Sequence, residues 1–224
     1  MTMGRRPILE EALKVADERR KLTKFDPDHF VETMLAKIVG QDEIVHAIAK
    51  MLQIEFSKSR RNSPINILLV GKNGFGTTTF AEAMAEAVFP GSKLLEFNFA
   101  QFGKLLQFQP AFFGLSKVWR GSARGALSDA LMADPQRVIF LDALEKADKD
   151  VQQMILAPLD GEYEDQHLRT AIDLRRSVIV CAANWAHDQL EDTVADEPDV
   201  GKRAGKVFAK LEEASVDPGC WVAS

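Results

Sequence analysis

Three runs along the chain are apolar at successive positions: Ile65–Val70, interrupted only by Asn66, then Val138–Leu141 and Val178–Ala182. Runs of that length without polar alternation predict strands buried on both faces, as in a parallel sheet. Between them the pattern changes to the helical period. Glu43–Phe56 carries Ile44, Val45, Ile48, Met51, Leu52 and Ile54, and Phe80–Val88, Ala126–Ala133 and Val151–Leu159 also read as helices. Leu94–Phe99 alternates enough to predict a further strand. Strands alternating with helices place the chain in the α/β class, its sheet covered on both faces.

The remaining segments are less regular. Residues 8–22 form a charged helical stretch, closed by the turn signal Asp26-Pro27-Asp28, and a short helix follows over His29–Ala36. Gln107–Gly125, rich in Phe, Gly and basic residues, predicts a long loop, and Tyr163–Arg169 a turn or small hairpin. Beyond about residue 190 the periodicity fades. The expected organisation is an N-terminal helical extension over 1–36, an α/β domain over 37–190, and an irregular tail over 191–224.

Candidate chemistry lies directly after the first strand. Gly71-Lys-Asn-Gly-Phe-Gly-Thr-Thr-Thr79 separates that strand from the helix at Phe80. This is the strand–loop–helix setting of the phosphate-binding pattern G-x-x-x-x-G-K-[ST], in which backbone N–H groups face a phosphate chain and a hydroxyl completes a Mg²⁺ shell. Gly71, Gly74, Gly76 and Thr78 occupy the pattern's positions, with Lys72, Asn73, Phe75 and Thr79 lining the loop. Thr77 stands where the lysine belongs. Lys72 resembles the extra lysine of the deviant loops of MinD-like ATPases, but those loops keep the second lysine. A solvent-facing lysine, giving only diffuse attraction to phosphate, is the simpler reading.

A strand ending on a carboxylate is the second element such a site needs. Val138–Asp142 provides it, and Asp142 is the candidate metal-shell residue. Ala143 follows, and a methyl group neither accepts a proton nor orients a water. Asn184, after the third apolar run, places an amide where a γ-phosphate or its water would lie.

Composition narrows the class. At 224 residues, 46% hydrophobic and 27% charged, the chain can bury a full core. Its net charge of −5 exerts no global pull on nucleic acid. The two cysteines lie far apart, at Cys181 and Cys220, so neither a disulfide framework nor a metal cluster is expected. With no membrane-length apolar run and no apolar leader, a cytoplasmic protein is expected.

With these pieces placed, the chain resembles the AAA+ module of the Clp-type unfoldases and disaggregases, especially their second ATPase ring. Ile38-Val-Gly-Gln-Asp-Glu-Ile-Val45 resembles the family's "hhGQDEAV", and Arg137–Asp148 its "SVILLDEIEKAH". Leu159-Asp-Gly161, Arg169-Thr170 and Asp173 resemble the run before the third strand, and Ala182-Ala-Asn184 stands in for "TSN". The resemblance implies a P-loop NTPase fold of the AAA+ type, a three-layer sandwich around a parallel sheet, with the helical lid domain absent here. It implies ATP and Mg²⁺ as cofactors, Val39 against the adenine, and Asn184 as the sensor amide. It also implies a protein partner or polypeptide substrate, and a homo- or hetero-oligomer. Pro110-Ala-Phe-Phe-Gly114 falls where the family has its substrate-gripping "PGYVG", which would make Phe112 the contact residue; equally, Phe112 and Phe113 read as ordinary core residues.

The departures bear on activity. Thr77 replaces the loop lysine, Ala143 replaces the catalytic glutamate, and no arginine-finger segment of the "FRPEFLNR" kind follows Asn184. The expected function is a degenerate module that binds ATP, hydrolyses it poorly and acts through protein contacts. An active protein-remodelling ATPase in a ring, restored by Lys72 or a partner's residue, is the alternative. A scaffold that binds no nucleotide is the third reading.

Overall fold

The computed structural model describes residues 25–58, 61–70, 76–102 and 105–183. In chain order the elements are α1 (Pro27–Leu35), α2 (Asp42–Ser57), β1 (Ile65–Val70), α3 (Thr77–Val88), β2 (Leu95–Asn98), α4 (Phe99–Phe102), α5 (Leu105–Phe113), α6 (Ala126–Ala133), β3 (Val138–Asp142), a 3₁₀ turn (Leu144–Lys146), α7 (Lys149–Asp160), β4 (Glu162–Asp165), β5 (Thr170–Asp173) and β6 (Val178–Ala183). Four strands form one sheet in the order β1-β6-β3-β2, every neighbour parallel. β4 and β5 make a separate antiparallel hairpin.

The period of two along each strand divides the core into two layers. Val138, Phe140, Val178, Val180, Ile65 and Ile67 face α1, α2 and α3. Ile139, Leu141, Ile179, Cys181 and Phe97 face the opposite layer, built from α4 to α7 and the hairpin. Small side chains let α3 lie close to the sheet, with Ala81, Ala83, Ala85 and Ala87 all buried. Burial in this apolar strand pushes the Cys181 thiol pKa up.

Helix α1 begins where local chemistry dictates. Asp26 caps it, its Oδ1 accepting from Asp28 N at 3.1 Å and His29 N at 3.2 Å, and Pro27 takes the first helical position. Phe30 and Met34 of this helix are fully buried in the core layer against α3. Residues 27–35 therefore pack as part of the α/β body, although the sequence assigns them to an extension. The charged stretch 8–22 and the tail 191–224 lie outside the described residues.

One expectation is corrected. The stretch 107–125 is not wholly a loop, because α5 runs to Phe113 with Pro110 inside it. An internal proline removes a helix hydrogen bond. Tertiary burial offsets that loss: Phe108, Phe112 and Phe113 are buried, and their rings meet one another at centroid distances of 4.7 to 5.7 Å.

Candidate functional site

Parallel pairing brings the carboxyl ends of all four strands to one edge, where α/β proteins bind ligands. The register sets Val70 beside Ala183 and Asn98 beside Asp142. The ends of β1, β2, β3 and β6, with the Asp142 carboxylate among them, therefore share that edge. Gly71, Lys72, Asn73, Gly74, Phe75 and Asn184 lie outside the described residues. The exit from the loop is well defined. Gly76 has φ +82° and ψ +23°, a left-handed conformation that favours glycine, and α3 starts at the next residue. No side chain caps this helix. Its first turn closes with Phe80 N donating to Gly76 O at 2.8 Å, while Thr77 and Thr78 are half-buried and Thr79 is exposed. An uncapped 12-residue helix leaves amide donors and a positive dipole end at the edge, which suits an anion.

Asp142 is half-buried at the end of β3. Desolvation is the largest influence on its carboxyl and raises its pKa; the Glu145 charge adds to the rise, and the Ala143 N–H opposes it. Asn98 Nδ2 donates to Asp142 Oδ2 at 2.9 Å across the neighbouring strands. Ala143 has φ +55° and ψ +45°, a left-handed conformation that costs a non-glycine residue about 1–2 kcal/mol. That reversal starts the 3₁₀ turn, with Leu144 buried beneath it and Glu145 half-buried beside Asp142. The position next to the carboxylate presents only a methyl group.

Residues 62–215 match the family described as AAA domain (Cdc48 subfamily). The chain belongs to the AAA domain family. Among curated relatives, the chaperone protein ClpB of Pseudomonas putida is 30% identical over 189 residues, covering 80% of this chain and 21% of its own length. The Clp protease ATP-binding subunit ClpE of Lactococcus lactis is 29% identical over 176 residues, covering 74% and 23%. The chain thus spans about a fifth of the length of these relatives. In fold it is similar to Hsp104 in its closed state with ATPγS and FITC casein, at TM-score 0.67 and 18% identity, covering 83% of this chain and 32% of the other. The S. cerevisiae Hsp104:casein complex aligns at TM-score 0.66, with 18% identity over 88% of this chain and 33% of the other. The expected Clp-type AAA+ module and its α/β P-loop fold both hold.

Away from the edge, burial decides between the two sequence readings of Phe112. That side chain is 1% exposed and lies 4.5 Å from Phe97 between ring centroids. It is a core residue, shut away from any threaded polypeptide. The exposed aromatic follows it: Trp119 is 65% exposed and Val118 84%, flanked by exposed Lys117 and Arg120. Their loop is closed by hydrogen bonds. Leu115 N donates to Ala123 O at 2.8 Å, Ser122 Oγ donates to Leu115 O at 3.1 Å, and Ser122 Oγ lies 2.7 Å from His167 Nδ1. The sequence displays this basic, aromatic stretch, yet the family pattern assigns the contact to its neighbour. A signal for the loop exists, since Lys-Val-Trp-Arg lacks the spacing of a buried helix face.

Val39 is 92% exposed in the connection between α1 and α2. Among the described residues no helix is long and apolar enough to cross a membrane, and no cluster of His, Cys, Asp and Glu is gathered that could hold a metal ion.

Proposed function

We propose that this AAA module binds adenine nucleotide with Mg²⁺ at the carboxyl edge of its sheet, hydrolyses it poorly, and acts through contacts with other polypeptides. The observation that carries the reading is an edge with its Asp142 carboxylate and uncapped α3 terminus in place, but with Thr77 and Ala143 at the two positions that would carry charge for phosphoryl transfer.

Each residue has an assigned part. Backbone N–H groups from Gly71 to Gly76 and the start of α3 receive the phosphates, with Asn73, Phe75 and Thr79 shaping the loop. Thr78 and Asp142 contribute to the Mg²⁺ shell, whose remaining ligands are phosphate oxygens and water. The ion, when bound, neutralises phosphate charge. Asn184 meets the γ-phosphate region, Val39 covers the adenine, and Lys72 adds diffuse positive potential. Loss of the loop lysine removes a charge-assisted contact of about 1.5–3 kcal/mol while the amides remain. Ala143 supplies neither a base nor a water-orienting group, so the hydrolytic step loses support as well. Holding survives such losses better than cutting.

The polypeptide contact falls to the Trp119 loop, a rigid mount for an exposed aromatic between two cations. Two Hsp104 structures similar in fold hold casein, which supports a polypeptide as the partner class. Calorimetric titration with Mg-ATP beside a phosphate-release assay tests the proposal. Binding with turnover at background, unchanged in Asp142→Ala, is expected. Turnover at ordinary ATPase rates that Asp142→Ala abolishes would overturn it.

A further inference from the structure

Asn98 ends β2 next to the carboxylate that ends β3, and the two are register partners in adjacent parallel strands. Its side chain is committed at both ends. Oδ1 accepts from Ala100 N at 2.9 Å, and Nδ2 donates to Asp142 Oδ2 at 2.9 Å. A flipped amide would set its NH₂ against the Ala100 N–H and its carbonyl against a carboxylate, so the local backbone dictates which end faces Asp142. The result adds a side-chain restraint to a carboxylate whose other hydrogen bond comes from the Ala143 N–H.

The choice of an amide over an acid also matters. A second carboxylate 2.9 Å from Asp142 would repel it, in a place already influenced by Glu145. Asn98 gives the same reach with no charge.

We propose that Asn98 is a positioning residue for the metal: its amide, oriented by Ala100, holds the Asp142 carboxylate in the rotamer that ligates Mg²⁺ beside the nucleotide. The inference rests on the nucleotide-binding reading above.

The test is ADP affinity by calorimetry, with and without Mg²⁺, for the wild type, Asn98→Ala and Asn98→Ser. Serine can still accept from Ala100 N but is too short to reach Asp142, so it separates the local turn from the carboxylate contact. In the wild type Mg²⁺ tightens ADP binding. In both variants about tenfold of that gain is lost, the scale of one hydrogen bond to a charged group, while Mg²⁺-free ADP affinity stays unchanged. Adding Asn98→Ser to Asp142→Ala costs nothing further, because the two act through one carboxylate. An Mg²⁺ gain in Asn98→Ser equal to the wild type's overturns this inference and leaves nucleotide binding standing. So does an equal loss with and without the metal, which would mark a general structural role. A wild type that binds no ADP under either condition overturns the proposed function, and this inference with it.

Discussion

The backbone N–H of Gly125 donates to the buried Asp165 carboxylate at 3.1 Å, tying the end of the Trp119 loop to the β4–β5 hairpin. The same carboxylate accepts from His167 N at 2.9 Å, Leu168 N at 2.7 Å and the Ser128 hydroxyl, which also contacts Tyr163 Oη at 2.6 Å. Position 125 tolerates only glycine, since a Cβ there would sit 2.1 Å from Phe112 O. Replacing Asp165 with alanine takes the acceptor from the Gly125, His167 and Leu168 amides and leaves Ser128 with Tyr163 Oη alone, and a loss of about 3 kcal/mol is expected from chemical denaturation midpoints.

This carboxylate also gives stability an acid limb. Burial alone would raise its pKa, but the bonds from Ser128, Leu168, Gly125 and His167 outweigh it and hold the value below the ordinary range. A depressed folded pKa means the contribution is complete above the unfolded value of about 3.9 and fades as pH falls through the lower folded one. Denaturation midpoints measured from pH 6 down to pH 2.5 should therefore drop more steeply for the wild type than for Asp165→Asn. Parallel acid limbs would show that Asp165 is not the titrating group.

Phe112 and Trp119 should separate core from surface. Phe112→Ala removes a ring from a cluster where it meets Phe97, Phe108 and Phe113, at an expected cost of about 3–5 kcal/mol. Trp119→Ala touches an exposed side chain and should change stability by about 0.5 kcal/mol or less. Binding of a fluorescently labelled unfolded polypeptide, read by anisotropy, should weaken in Trp119→Ala. Unchanged anisotropy would remove this loop from the proposed function.

The contrast between these two aromatics shows where sequence was legible. Near-continuous apolar runs announced β1, β3 and β6, because a strand buried on both faces has few polar positions to confuse its period. Helical spacing placed α2, α3, α6 and α7 within a few residues of their observed ends. Helix α5 was hidden by Pro110, a local breaker overridden by aromatic burial that only the tertiary fold supplies, while Gly114 ends the helix with φ +81°. The Asn98–Asp142 bond joins residues 44 positions apart, and no periodicity encodes it. Its trace was subtler: β3 ends its apolar run on Asp142, and the alternating β2 ends on Asn98. Asp165 looked like turn chemistry in Glu-Asp-Gln-His, and nothing local told that it would be buried.

Restoring the loop lysine tests the cradle directly. Thr77 begins α3, immediately after Gly76, where a longer cationic side chain would reach over the phosphates. Thr77→Lys should tighten ATP binding about tenfold or more, the scale of a charge-assisted contact, and tighten AMP far less. Calorimetry with ATP, ADP and AMP reads the difference. Equal gains for all three would indicate diffuse attraction in place of a directed bond.

The proposed poor hydrolysis follows from the lack of a water-orienting carboxylate directly after Asp142. Ala143 carries none, and Glu145 lies near enough for its charge to raise the Asp142 carboxyl. The left-handed backbone at Ala143 separates the two positions, sending the chain into the 3₁₀ turn before Glu145 is reached. Glu145→Gln should therefore leave the low phosphate-release rate unchanged. Ala143→Glu combined with Thr77→Lys should raise it, because a base and a phosphate cation return together. If Glu145→Gln instead abolishes a measurable wild-type turnover, Glu145 has taken over the missing glutamate's work, and the module is a motor by an altered route.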